Sequence, residues 1–353
     1  MTLDAAIIGG GPAGAAAAIS LRQLMPRATI AIYDDGANDR WRPGEILAPG
    51  SASILESLGC GPHFRECGFH QSFGTRAVWG TQEPSSNDFL FGLRGYGWRL
   101  DRARFDAMLL ERAQAAGAEV HRTTRLVGSA PDGVGWTLRF RGSESSARFV
   151  VDASGRSAVF AQQRGVRRLR DDQLAGVYVL FRSEDTCDTL IEAAEDGWWY
   201  SASVPGATTV AAFMSDTDLI RDSRLHLEGP WKEALARSTY TRERLREAPA
   251  KGPPAVFAAH SQRLSKMSGP AWVAAGDAAM VFDPISSQGI LKALRSGKQA
   301  SFVAADFLAR GIDSHGKYED LALAEYSEYC KAKSQYYGLE RQRSAAVFWK
   351  RRL

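Results

Sequence analysis

Three glycines near the start of the chain have the spacing of a phosphate-handling turn: Gly9-x-Gly11-x-x-Gly14. The first permits a tight turn, the second lets backbone N–H groups approach a pyrophosphate, and the third allows close packing of helix on sheet. A helix opening there offers partial positive charge to the same phosphates. The spacing alone is weak, and a glycine turn in some other α/β protein would share it. Here an apolar run, Ala5-Ala6-Ile7-Ile8, precedes it as a strand buried on both faces would. Pro12, Ala13 and the alanine-rich stretch Ala15–Leu24 follow as a helix. A second strand, Thr29–Tyr33, ends at Asp34, twenty residues past Gly14. That carboxylate would accept hydrogen bonds from a ribose and disfavour a 2′-phosphate, so the context predicts a dinucleotide site.

A second group of residues lies some 260 positions later. Ala271–Ala275 reads as a buried strand and runs into Gly276-Asp277-Ala278-Ala279. Phe282-Asp283-Pro284-Ile285-Ser286-Ser287-Gln288-Gly289-Ile290 then leads into a helix. A carboxylate at a strand end and a helix N-terminus suit another, distant part of the same long cofactor. Between the two groups stand Gly44-Glu45-Ile46-Leu47-Ala48-Pro49, Arg102-Ala103-Arg104-Phe105-Asp106 and Asp152-Ala153-Ser154-Gly155-Arg156-Ser157.

Positioning residues so far apart takes more than one layer. The 353 residues suit two lobes, since single cores stop growing near ~250–300 residues. Hydrophobic residues at 44% and charged residues at 24% exclude disorder and fibrous classes. A net charge of +4 does not mark a nucleic-acid binder, and no apolar run approaches the ~20 residues of a membrane span. Helices are expected over Arg102–Ala116, 228–250, 289–310 and 318–350; strand-like alternation runs from about 174 to 214. The fold class expected is α/β (α+β overall): a discontinuous Rossmann-like nucleotide lobe, an inserted β-sheet lobe and a helical C-terminus. The boundaries read as 1–70, 99–165 and 266–310 for the first, 71–98 and 166–265 for the second, and 311–353 for the third. Cys60, Cys67, Cys187 and Cys330 and six histidines show no metal-ligand spacing, so no metal is expected. Free thiols and an N-terminus read as strand and helix, not as a signal peptide, point to a cytoplasmic protein.

With these pieces in this order the chain resembles the glutathione-reductase-type FAD monooxygenase superfamily, which includes p-hydroxybenzoate-hydroxylase-like and flavin-dependent halogenase-like proteins. The resemblance implies FAD as cofactor, held by Gly9, Gly11, Pro12, Ala13, Gly14, Asp34, Glu45, Arg102, Gly276, Asp277, Pro284, Gly289 and Ile290. It implies that Asp277 binds the ribityl chain. It also implies that Gln288, Gly289 and Ile290 face the pyrimidine edge of the flavin, where the helix dipole would stabilise a reduced flavin anion. The activity implied is that of a monooxygenase, in which reduced flavin and O2 form a C4a-hydroperoxide whose distal oxygen passes to an electron-rich aromatic. No nucleophile–base pair stands out, which suits a cofactor that carries the chemistry. No second dinucleotide fingerprint appears. The electrons would come from transient NAD(P)H binding or from a separate flavin reductase.

Halogenation is the alternative. Phe282-x-Pro284-x-x-Ser287-x-Gly289 matches the halogenase pattern, but those enzymes also need a lysine beyond the Gly44–Pro49 segment. The chain has nine lysines and the first is Lys232; the window 70–80 offers only Arg76 as a full cation. Arginine stays protonated and is a poor substitute. The halogenase W-x-W-x-I-P segment is also altered: aligned on Pro205, Tyr200 and Ala202 stand in the two Trp places. In Gly197-Trp198-Trp199-Tyr200, strand alternation puts Trp198 and Tyr200 on one face, as a pocket wall, and Trp199 on the other. Core packing is the plainer reading of such a cluster.

Tyr336-Tyr337, Glu340-Arg341 and Phe348-Trp349-Lys350-Arg351-Arg352 are similar to the end of halogenase-like flavoproteins that oxygenate tryptophan in tryptophylquinone maturation. This likeness implies an aromatic small molecule or a tryptophan-containing peptide or protein as substrate, with neither nucleic acid nor membrane as partner. The last stretch, from Lys331, holds seven Lys/Arg against Glu340, which reads as a solvated basic face or a docking surface. His63 and His70 fall in a segment expected near the flavin, as acid/base groups or as ordinary loop histidines. A non-catalytic FAD-binding partner protein is the reading from another class.

Overall fold

The computed structural model describes residues 2–36, 41–89, 95–183 and 188–352; Cys187 lies outside them. The architecture is a mixed α/β fold built on two large sheets, with helices at the C-terminal end.

The first large sheet has eight strands, and its parallel core is assembled from distant segments. In spatial order these are Trp272–Ala274, Ser143–Asp152, Thr2–Ile8, Ile30–Tyr33 and Glu119–His121. The register pairs Ile8 with both Tyr33 and Asp152, and Asp152 with Ala274. Gly9, Asp34, Ala153 and Gly276 therefore emerge together at the carboxyl end of the sheet, where open α/β sheets hold their ligands. The strands there are apolar because both faces are packed, by helices and by the strand Trp136–Phe140, whose Phe140 stacks on Tyr33; Ala5, Ala6, Ile7, Val150, Val151 and Val273 have no exposed surface. The helix Pro12–Leu24 packs against the helix Gly289–Arg310. A Cβ built on Gly297 would lie 2.2 Å from the Ala13 carbonyl oxygen, so the close crossing needs that glycine.

The second large sheet has seven strands. Their order is Ala255–Ala258, Leu174–Arg182, Thr208–Asp216, Gly197–Val204, Thr189–Ala194, Gly74–Val78 and Ser85–Asp88. One face buries Val177, Trp199 and Phe213 against Trp231 of the helix Glu228–Arg237. The opposite face carries Tyr178, Trp198 and Met214.

Two expected helices are broken. The 228–250 stretch forms Glu228–Arg237 and Tyr240–Leu245. Buried Glu192, from a neighbouring strand, accepts the N–H groups of Thr239 (2.7 Å) and Thr241 (2.8 Å), and Ser238 Oγ accepts that of Arg242 (3.0 Å). These side chains cap a new helix start, where continuing the first helix would leave Glu192 unpaired. The 318–350 stretch forms His315–Tyr337 and Val347–Lys350. Between them fully buried Glu340 accepts N–H groups of Gly80 (2.9 Å) and Gln342 (2.9 Å) and an ion pair from Arg343 (3.0 Å).

Five of the seven C-terminal cations are ion-paired, while Lys331, Arg341, Lys350 and Arg351 stay exposed, so only part of the stretch is a solvated basic face. Lys331 pairs with Glu328, Lys333 with Asp172, Arg343 with Glu340, Arg351 with Asp216 and Asp218, and Arg352 with Asp216. Arg352 also lies over the Phe348 ring, 3.6 Å from its centroid. Arg351 and Arg352 clamp the chain end onto the second sheet because the strand Thr208–Asp216 ends in Asp216 and the helix after it carries Asp218 in its first turn. No helix among the described residues is long and apolar enough to cross a membrane.

Candidate active site

Between the two sheets runs a cavity of about 590 Å³. One wall is made of turns. Gly9 has φ +111°, and a Cβ there would lie 2.3 Å from the Ala153 carbonyl oxygen; a Cβ on Gly14 would lie 2.0 Å from that of Gly9. At Gly11 no atom stands within 4 Å of the Cβ position, so this turn is open toward the cavity. Asp34, at the end of the second strand, is 5% exposed and is held by the N–H groups of Gly10 and Gly36. Burial, with help from neighbouring Asp35, pushes its pKa upward.

Asp277 faces the cavity from the far end of the same sheet. Burial opposes its ionisation, but the Lys292 ammonium 2.8 Å away, with Arg156 and Arg102, holds the carboxyl below its usual range. Lys292 is 1% exposed and its ammonium lies 5.0 Å from the Phe282 ring centroid. Gly289 opens its helix with no acidic residue in the first turn and with nothing within 4 Å of its Cβ position. This bare N-terminus borders the cavity alongside Pro284, Gln288 and Ile290.

Arg102 and Glu45 join the two walls. Arg102 donates to the carbonyls of Pro43 (3.3 Å) and Gly44 (3.2 Å) and pairs with Asp106 at 3.3 Å. Asp106 is 4% exposed, so this i,i+4 pair is part of the interior and not surface decoration. Gly44, at φ +114°, would place a Cβ 2.5 Å from Arg102 Nη1. Glu45 is buried; burial pushes its pKa up, and its Oε1 has no hydrogen-bond partner. A buried carboxyl oxygen without a partner, beside an open turn and a bare helix end, fits a wall that meets a polar ligand.

The other wall is the face of the second sheet. Across four strands the register sets Phe257, Gly176, Met214 and Trp198 in one row, with Tyr178, Ala212 and Tyr200 in the next. Gly176 forms a notch, since a Cβ there would lie 2.4 Å from the Tyr178 ring and 2.7 Å from Met214 Sδ. Trp198 Nε1 donates to Tyr337 Oη at 3.1 Å, and Tyr337 donates to Asp283 Oδ2 at 2.9 Å. Ile285 N–H holds the other Asp283 oxygen at 2.9 Å, and burial pushes the Asp283 carboxyl up to about 6. Trp199 points away into the opposite core, as alternation expects. Burial also raises the phenols of Tyr178 and Tyr200.

Residues 2–331 match the family described as FAD binding domain. The chain belongs to this FAD-binding family. It is an FAD-dependent oxidoreductase, related to flavin halogenases and monooxygenases. The LodB protein of Marinomonas mediterranea, assigned as an FAD-dependent oxidoreductase, is 30% identical over 99% of this chain and 96% of its own. The halogenase CndH, from a structure of a myxobacterial enzyme, superposes with a TM-score of 0.89 at 23% identity, covering 99% of this chain and 86% of its own. The peptidyl tryptophan dihydroxylase QhpG does so with a TM-score of 0.80 at 24% identity, covering 100% and 79%. At these identities the two structures speak for the fold.

The cavity of this FAD-binding chain brings together Gly9, Gly11, Pro12, Ala13, Asp34, Glu45, Arg102, Asp277, Pro284, Gln288, Gly289, Ile290, Trp198 and Tyr200. Gly14 and Gly276 stand behind its surface as packing positions; a Cβ on Gly276 would lie 2.7 Å from Ala13 Cβ. His63 and His70 do not line it, nor does Arg76. His63 sits on the helix Gly61–Glu66 and contacts Arg112, while His70 is exposed on a short strand; of the described residues between 41 and 100, those that line the cavity are Arg42–Ile46. Sequence reasoning missed Tyr178, Met214, Phe257, Arg42 and Arg156 on the walls, and Lys292 beneath Asp277. A period-two reading of Gly176–Phe181 could have put Gly176 and Tyr178 on one face.

Proposed function

We propose that the chain is an FAD-dependent monooxygenase acting on an electron-rich aromatic of indole or tryptophan type, including a peptidyl one. The observation that carries this reading is the cavity's cation set. Arg42, Arg102, Arg125 and Arg156 line it, and no lysine does among the described residues. The lysine nearest to the cofactor wall, Lys292, is buried beneath Asp277 and ion-paired to it, so it offers no free amine to a halogen. The aromatic row supports a flat, electron-rich ligand, since ring faces and edges pack well against another ring.

FAD, when bound and reduced, would supply the reaction with O2 and the transfer of one oxygen atom. We assign its pyrophosphate to Gly9–Gly14, its adenosine ribose to Asp34, its ribityl chain to Asp277 and its pyrimidine edge to the helix start at Gln288–Ile290. Lys292 keeps Asp277 ionised and oriented as an acceptor. Arg102 fixes the Pro43–Gly44 turn and with it Glu45. Tyr178, Trp198, Met214 and Phe257 exclude water and present the substrate ring. The electron source, NAD(P)H or a separate flavin reductase, acts from outside this constellation.

The halogenase reading keeps one specific support, the match of Phe282, Pro284, Ser287 and Gly289 to the halogenase pattern. One experiment separates the two. Holoenzyme, reduced FAD, air and bromide are mixed with indole, a phenol or a tryptophan peptide, and products are weighed by mass spectrometry. Gain of one or more oxygen atoms is expected. Gain of bromine would overturn the lysine argument and make the chain a halogenase with another relay.

A further inference from the structure

Among the described residues the second sheet has two edges without a partner strand, and they differ in chemistry. One is Ser85–Asp88, four exposed polar residues ending in a carboxylate. Polar or charged side chains are how proteins keep an edge from pairing with another chain. The other edge is Ala255-Val256-Phe257-Ala258, with no charge and no proline within the strand; Val256 is 49% exposed. Pro254 guards the start of this short strand, but from Val256 to Ala258 the apolar edge can act as a template for an added strand.

Its backbone register shows which groups are on offer. Ala259 N–H donates to the Leu174 carbonyl at 2.9 Å, and the antiparallel pairing sets Phe257 opposite Gly176. By alternation, Phe257 turns its N–H and C=O toward the sheet, while Val256 and Ala258 turn theirs outward. The same strand runs into the cavity: Phe257, Ala258 and Ala259 line it, and the Phe257 ring lies edge-on to Tyr178 at 5.6 Å. A strand added outside this edge would place the residue opposite Phe257 on the cavity face, about 5 Å away.

We infer that the Ala255–Ala258 edge is a docking strand for an extended peptide, whose tryptophan sits opposite Phe257 and enters the cavity. The inference rests on the aromatic-substrate reading and adds to it the place where a peptidyl substrate's main chain docks. In the antiparallel arrangement the residues flanking the tryptophan exchange hydrogen bonds with Val256 and Ala258. The tryptophan's own N–H points away from the edge.

The test uses the FAD-loaded full chain and a blocked pentapeptide, Thr-Val-Trp-Val-Thr, against N-acetyltryptophanamide, with binding followed by fluorescence. The peptide is expected to bind at least ~10-fold tighter than the amide, from the added main-chain hydrogen bonds. N-methylation of either flanking residue should remove that gain, and N-methylation of the tryptophan should not. On peptide binding, hydrogen exchange should slow at the Val256 and Ala258 amides and stay unchanged at Phe257. Val256→Pro, which deletes only an outward N–H, should weaken the peptide ~10-fold and leave the amide as it was. Equal binding of peptide and amide, or N-methylation without period two, overturns the docking strand and leaves the aromatic reading standing. Binding of neither ligand, with no oxygen gained by any aromatic, overturns both.

Discussion

The two walls of the cavity are made by different means. The wall that carries the glycine turns is backbone: Gly9, Gly14 and Gly44 are required by positive φ or by contacts under 3 Å, and a helix end there is free of acids. The aromatic wall is side chain: rings in rows set by strand register and held from behind by Tyr337, Phe348 and Trp349 of the chain end. Backbone geometry tolerates almost no change at a few positions. Ring packing spreads its tolerance over many. On the proposed reading, cofactor binding thus falls to the rigid side and substrate selectivity to the side that can be re-cut.

The sharpest way to break this contrast is Gly14→Val. Its Cβ would meet the Gly9 carbonyl oxygen at 2.0 Å, a backbone clash that no rotamer relieves. Bound FAD per chain, read from flavin absorbance, should fall at least ~10-fold, since a 1.4 kcal/mol loss already does that and such clashes cost more. Retention of full flavin would mean that the turn can shift, against the rigidity argued here. Tyr337→Phe probes the other wall. It leaves Trp198 Nε1 and one Asp283 oxygen without their buried partner, so urea unfolding should show a loss of about 1–3 kcal/mol, with flavin content kept and aromatic ligands bound more weakly. A loss of FAD in this variant would show that the walls are not separable.

The smallest effect belongs to the clamp. Hydrogen bonding by Arg351 pulls Asp218 down to about 2. A carboxyl with a lowered folded-state pKa stabilises above its ordinary value near 3.8 and loses that contribution as pH falls toward about 2. Asp218→Asn should therefore lower Tm by about 1–2 °C at pH 6, and the gap should narrow below about pH 4 and close toward pH 2. A gap that persists in acid would assign the residue a role other than ion pairing.

The same division governs what the sequence discloses. The Gly9–Gly14 turn, Asp34 and the Gly276-Asp277 pair could be read because each is a local backbone requirement with its strand and helix attached. Trp198 and Tyr200 could be put on one face, and Trp199 on the other, because alternation is also local. Their neighbours Met214 and Phe257 could not, since pairing between strands up to about eighty residues apart decides which side chains share a row. The helix breaks at Ser238 and Gly338 escaped for a related reason. Glu192 and Glu340 make them, each buried by contacts with segments distant in the chain. The basic end of the chain looked like a free surface because its acids, Asp172, Asp216 and Asp218, stand more than a hundred residues earlier.

Trp349 has no exposed surface, and its indole N–H reaches the Ala194 carbonyl at 2.9 Å. A ribosome making this chain therefore releases the Gly9 turn more than three hundred residues before the last support of the aromatic wall. The strand Trp272–Ala274, which completes the nucleotide end of the cavity, also arrives late. Neither half of the cleft can close until these later segments have left the ribosome, so the Gly9 turn waits through the synthesis of some 260 residues or more with the cavity open.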